Sequence, residues 1–150
     1  MLCLIACVNL SPAADDEKEA AVKKEMKMLE GTWKVVSVES NGRKAADDEI
    51  KDFHYVYGAD GKWKLMNGDQ TLSEGTYKLD PSKSPKTIDY AIEKAPVERD
   101  KGKSSLGIYE LDGDRLRVCR AWPGKDKRSA EFAAGADSEC ILAEYKRVKP

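Results

Sequence analysis

Leu29-Glu30-Gly31-Thr32-Trp33-Lys34-Val35-Val36-Ser37-Val38-Glu39 is the stretch whose reading decides the fold. A glycine and a tryptophan two residues apart lead into a β-branched run, which favours extended backbone. The pattern predicts a first strand over about 32–40, with Trp33 near its start. Its apolar residues do not alternate cleanly, so only Trp33 can be given a face. Upstream, Val22, Met26 and Leu29 recur at helical spacing within a charged segment. Acidic Asp15, Asp16 and Glu17 precede Lys23, Lys24 and Lys27, the order a helix dipole favours. Residues 15–28 are therefore expected to form a short helical leader, and 29–150 the folded domain.

Downstream, short alternating runs follow one another between turn signals. Asn41-Gly42 marks a turn, and residues 47–52 can hold one helical turn. Phe53, Tyr55 and Tyr57 share one face of the next strand, with His54 and Val56 on the other. Residues 62–66 alternate Trp63 and Leu65 against lysines, and Asn67-Gly68 is the strongest hairpin signal in the chain. A strand over 71–79 carries Gly75, Tyr77 and Leu79 on one face. The prolines of 80–85 make a loop, and 86–93 alternates Ile88, Tyr90 and Ile92. Further strands are expected at 105–111, 115–121 and 140–148. The connection over 122–139 is too long to be structureless and is expected to fold back through Phe132. Eight strands joined by hairpin-type turns, with no crossover helix, predict an all-β fold. Its architecture is an eight-stranded antiparallel up-and-down barrel, which removes exposed edges, with a short N-terminal helix.

Composition narrows the function classes. The 150 residues suit one domain, and 26 basic against 27 acidic residues leave a net charge of -1. That balance, with Lys and Arg spread along the chain, argues against a nucleic-acid partner. No apolar run is long enough to span a membrane. Met1 to Leu10 is uncharged and apolar apart from Asn9, and Ser11-Pro12-Ala13-Ala14 supplies small residues before the acidic Asp15. Residues 1–14 therefore read as a signal peptide whose basic start is missing, and an exported, periplasmic or secreted location is expected. Leu4-Ile5-Ala6-Cys7 offers a second reading, a lipid anchor at Cys7. Two cysteines lie beyond the signal, Cys119 and Cys140, on strands expected to be adjacent; both point outward by parity. A disulfide between them would close the long connection.

Several segments together resemble one family. They are Leu29-Glu30-Gly31-Thr32-Trp33, Gly75-Thr76-Tyr77-Lys78-Leu79-Asp80, Pro85-Lys86-Thr87-Ile88-Asp89, and Gly107 to Leu116 followed by Cys119, Arg128 and Glu131-Phe132. In this order they resemble the small lipocalin-like domains common in planctomycete bacteria, over about residues 29–148. Gly31-Thr32-Trp33 alone is similar to the Gly-x-Trp signature of lipocalins and fatty-acid-binding proteins. The resemblance implies a lipocalin-like barrel, often exported, with no established activity and no known functional residues. Ser129 stands where the family often has proline, and Cys140 is not a usual family position.

The candidate site is the barrel interior. Gly31 lets the backbone turn tightly into the barrel, and Trp33 can plug one end. In lipocalins a late-strand arginine packs over that tryptophan, and Arg147 is the candidate here. Inward positions are expected at Phe53, Tyr55, Tyr57, Trp63, Leu65, Tyr77, Ile88, Tyr90, Ile92, Leu106 and Ile108. If these meet they fill the barrel; if they stand back they line an apolar pocket. The pocket candidates are Tyr55, Tyr57, Trp63, Tyr77, Tyr90, Ile108, Tyr145 and Arg147. Tyr145 and Arg147 on one face could hold a carboxylate, as in fatty-acid-binding proteins. Against this, Arg147 is wanted over Trp33, and the order is Tyr-x-Arg rather than Arg-x-Tyr. The single His54 lies opposite the aromatic face, which disfavours haem, and one histidine with two cysteines disfavours zinc. The acidic turns lack calcium-loop spacing, and no nucleophile elbow, phosphate loop or zinc-protease helix occurs. No metal or cofactor is therefore expected. The expectation is a non-catalytic exported barrel that binds a small apolar or amphipathic ligand. The alternative is a packed barrel serving as a protein-interaction or structural module of the cell envelope, with no protein partner named by the sequence.

Overall fold

The computed structural model describes residues 12–150. The apolar segment Met1–Leu10, with Cys7, lies outside them, and so does most of the signal-peptide reading. Helix α1 spans Pro12–Leu29, so Ala13 and Ala14 fall in its first turn. It is followed by β1 (Gly31–Ser40), β2 (Arg43–Lys44), α2 (Asp47–Ile50), β3 (Phe53–Tyr57), β4 (Lys62–Asn67) and β5 (Gln70–Asp80). Then come β6 (Lys86–Lys94), β7 (Ser104–Asp112), β8 (Arg115–Ala121) and β9 (Cys140–Arg147), with a short 3-10 turn at Glu98–Asp100. From β3 to β9 each strand pairs antiparallel with the next, β1 pairs with β3, and a further β1–β9 pairing closes an eight-stranded barrel. The two-residue β2 is an extra ribbon folded onto the end of β1. Asn41 and Gly42 form its turn with φ of 50° and 77°, the left-handed pair that a tight hairpin requires.

The irregular alternation in β1 has a local cause. Trp33, Lys34 and Val35 pair with Arg147, Lys146 and Tyr145, but Ser37 pairs with Glu144, so Val36 is an extra residue in a bulge. Val35 stays buried while Val36 faces solvent, and Val38 returns to the core.

Apolar burial occurs in two places. The main cluster fills the barrel, with Trp33, Tyr55, Tyr57, Trp63, Tyr77, Leu79, Ile88, Tyr90, Ile92, Tyr109 and Tyr145. The second lies outside the wall, where Ile108, Cys119, Ala134 and Cys140 are buried with Phe132 and Leu142 against them. The connection 122–139 covers this patch as a strap. Arg128 holds it by pairing with Asp89 and by donating from Nη1 to the Gly107 carbonyl at 2.7 Å. Gly42 N–H donates to the Ala134 carbonyl at 2.7 Å, and the Arg117 guanidinium sits 4.1 Å from the Phe132 ring centre.

The end of the barrel nearest α1 is sealed. Trp33 is fully buried, and its Nε1 donates to the Leu29 carbonyl at 2.9 Å, tying helix to barrel. The Arg147 guanidinium lies 4.3 Å from the Trp33 ring and donates to the carbonyls of Glu30 (2.9 Å) and Met28 (2.6 Å). Glu25 reaches from α1 to accept from Tyr109 Oη (2.8 Å) and Lys86 Nζ (2.7 Å). The opposite end carries α2, the Asn67-Gly68 hairpin and the strap.

Candidate functional site

At that second end lies a cavity of about 220 Å³ between α2 and the ends of β1, β3, β8 and β9. Val35, Val38, Ile50, Phe53, Leu65, Ile141 and Ala143 supply its apolar lining; Tyr55, Tyr145 and Arg120 complete it. The local sequence explains each contribution. Phe53 and Tyr55 share the inward parity of β3, as do Ile141, Ala143 and Tyr145 on β9. The bulge at Val36 brings both Val35 and Val38 to the inner side of β1. Ile50, the one buried residue of α2, covers the opening. Glu49 steadies α2 by accepting from Ala46 N–H at 2.8 Å and from Arg43 Nη2 at 2.8 Å. Those two donors, the arginine first, hold the Glu49 carboxyl below the usual carboxylate range.

Arg120 is the unusual member. It shares parity on β8 with the buried Leu116 and Val118, so its side chain enters the barrel. Nη2 donates to Tyr55 Oη at 3.2 Å and Nη1 to Ser105 Oγ at 3.3 Å, while the guanidinium stands 5.4 Å from the Tyr90 ring centre. No carboxylate among the described residues pairs with it. Burial opposes its charge, but the surrounding tyrosines, Tyr55 and Tyr145 foremost, outweigh that and raise its pKa further. Room for this side chain comes from Gly107, which pairs with Arg120 across β7 and β8. A Cβ at Gly107 would lie 2.9 Å from Arg120 Cβ and 3.0 Å from the Cys119 carbonyl oxygen.

The remaining aromatic side chains fill the barrel instead of lining a pocket. Tyr57 and Tyr90 share a hydroxyl hydrogen bond of 2.7 Å, and Tyr77 Oη donates to the Gly58 carbonyl at 2.7 Å. Ring centres lie 5.5 Å apart for Trp63 and Tyr90, and 5.4 Å for Tyr57 and Tyr77, both edge to face. Trp63 Nε1 donates to the Thr76 carbonyl at 3.1 Å. Burial raises the pKa of Tyr57, Tyr90 and Tyr145 above the ordinary phenol value.

The structure thus redraws the expected site. Of the eight pocket candidates it brings only Tyr55 and Tyr145 to the cavity. Tyr57, Trp63, Tyr77 and Tyr90 pack against one another below it. Ile108 is not interior at all: Ser105, Gly107 and Tyr109 take the inner face of β7, and Ile108 points into the cluster under the strap. Leu106 shares the outer parity. Arg147 lies at the sealed end over Trp33, its donors spent on backbone carbonyls, so it cannot serve a ligand beside Tyr145. The expected bridge is likewise absent: Cys119 and Cys140 are free thiols. Cys119 pairs with Leu142 and Cys140 with Ala121, a diagonal placement on the outer face, and both thiols donate to the Ala133 carbonyl (3.4 and 3.3 Å). The parity Arg120 shares with Leu116 and Val118 points it inward, but its residue type hides this in the sequence, because a charged residue on a strand ordinarily faces water.

Several larger grooves lie on the surface, two of them of about 410 and 610 Å³. The first runs among Glu110, Arg117, Glu144 and Lys146, where Arg117 already pairs with Glu110 at 3.0 Å. The second lies along the strap and is lined by its charged and small residues. Among the described residues there is no cluster of three metal-ligating side chains and no helix long and apolar enough to cross a membrane.

Comparison with protein-family models, curated proteins and solved structures returned no match.

Proposed function

We propose that this chain is a non-catalytic binding module that takes a small apolar or amphipathic molecule at the open end of its barrel. One observation carries the reading: aromatic side chains fill much of the barrel, and a largely apolar cavity lies beneath α2. At about 220 Å³ it lies below the usual range of about 300–1,000 Å³ for ligand pockets, so it could enclose only a small molecule or part of a larger one. The lid is a single helical turn, held on its outer side by the Glu49 hydrogen bonds and on its inner side by the buried Ile50. Export, and membership of the planctomycete-type lipocalin-like family, belong to the same proposal. Their support is the apolar run at Met1–Leu10 and the ordered segments from Gly31 to Phe132.

Native mass spectrometry of the protein purified from its own host tests the reading. The expected result is a reproducible small adduct that is lost on denaturation and lost again when Ala143→Phe fills the cavity. A clean apo mass, with no uptake of added apolar compounds, would count against it.

A further inference from the structure

We infer that Cys119 and Cys140 form a binding site for one soft, closed-shell cation, copper(I), held between two thiolates beneath the strap. The site lies on the outer face of the barrel and does not involve the cavity beneath α2, so either reading can fail without the other.

Both thiols are free and buried. They come from adjacent strands: Cys119 pairs with Leu142 and Cys140 with Ala121, a diagonal that turns both side chains to one outer face. Their sulfurs converge. Each donates to the Ala133 carbonyl, at 3.4 and 3.3 Å, and the Cys140 thiol stands within hydrogen-bonding reach of Cys119. A buried cysteine that only fills space acts as a small hydrophobe. Here two sulfurs are brought to one point, with Ile108, Ala134, Phe132 and Leu142 packed around them.

The number of ligands selects the metal. Thiolates are soft donors, suited to copper(I), zinc and iron–sulfur clusters. Structural zinc and iron–sulfur centres need a larger set of protein ligands, and no group of three His, Cys, Asp or Glu side chains occurs among the described residues. Copper(I) is satisfied by two sulfurs in a linear arrangement. Burial pushes the Cys119 thiol up, so its proton is not shed to water; a strongly thiophilic ion has to displace it. The Ser129 hydroxyl beside Cys119 favours the thiolate once it forms. On binding, two S–H bonds break and two S–Cu bonds form, both protons leave to solvent, and no oxidation state changes. The Ala133 carbonyl then faces the cation where it had faced two S–H donors. The groove along the strap supplies the way in, with Ser129, Ala133 and Cys140 in its wall.

The test uses the full chain with Cys3→Ser and Cys7→Ser, which leaves the strap pair as its only thiols, kept reduced and free of oxygen. Titrated with copper(I) against the chelator bicinchoninate, it should take up one copper per chain and release two protons, and an equal concentration of zinc should not compete. X-ray absorption at the copper edge should show two sulfur ligands and no second copper. Cys140→Ala should weaken binding by about a hundredfold or more. The absorption spectrum decides the matter even if that variant folds poorly. Failure to take copper from bicinchoninate would overturn the site. So would nitrogen or oxygen ligands at the metal, or one copper shared between two chains.

Discussion

Arg147 and Arg120 are both inner-face arginines near the ends of neighbouring strands, and they differ in what surrounds each guanidinium. Arg147 has an indole face, two carbonyls and the Asp114 carboxylate at 3.2 Å. Its planar fork spans partners that no ammonium can reach together. Arg147→Lys should therefore lower stability by about 1–2 kcal/mol and Arg147→Ala by about 2–3 kcal/mol, read from the midpoint of urea unfolding. A loss in the lysine variant too small to measure would show that charge alone holds that end. Arg120 has neutral hydroxyls and an aromatic face, and its backbone position is bought with a glycine at 107. Both roles follow from parity: a residue's type suggests water, but its place in the alternation decides where it points.

At the scale of elements, β3 and β8 run over the residues that alternation assigns them, because each buries one face and leaves the other to solvent. Strand β1 resists such a reading since one bulge residue, Val36, breaks the period of two. The outer face of β7–β9 resists it for another reason. Ile108, Cys119 and Cys140 are as buried as inner residues, but beneath a strap whose own sequence carries no periodic signal. This is why Ile108 reads as interior from sequence; separately, four of the six aromatic pocket candidates, Tyr57, Trp63, Tyr77 and Tyr90, prove to be packed core because their rings meet across the barrel. The cavity escapes the sequence because it is a gap between Ile50, Phe53 and Ala143, and side-chain volumes that leave space have no local signature. The strap leads to a prediction of its own. Its thiols are buried, and burial pushes the Cys119 thiol up. Native protein should alkylate slowly at Cys119 and Cys140, and Arg128→Ala, which frees the strap from Asp89 and Gly107, should speed labelling about tenfold. An unchanged rate would mean that Phe132 and Ala134 hold the strap unaided.

For the molecule as a whole, a barrel packed with phenols should fail in alkali. Burial, aided by the charges of Asp60 and Glu30, raises Tyr77 from 10.0 to about 12, and Tyr57, Tyr90, Tyr109 and Tyr145 are also raised. The native state then holds these protons more tightly than the unfolded chain. Their contribution is complete below pH 10 and is lost as pH climbs from 10 through 12. The denaturant midpoint should fall over that window, with tyrosinate absorbance appearing together with unfolding; tyrosines titrating freely in a folded barrel would contradict the packing. The binding role rests on the cavity beneath α2, and amide NMR of the full chain titrated with 1-octanol examines it directly. Saturable shifts gathered at Ile50, Phe53, Leu65 and Ala143 are the expected result. Shifts confined to the strap at 122–139, or none up to the solubility of the alcohol, would show that the barrel is a packed body and not a vessel.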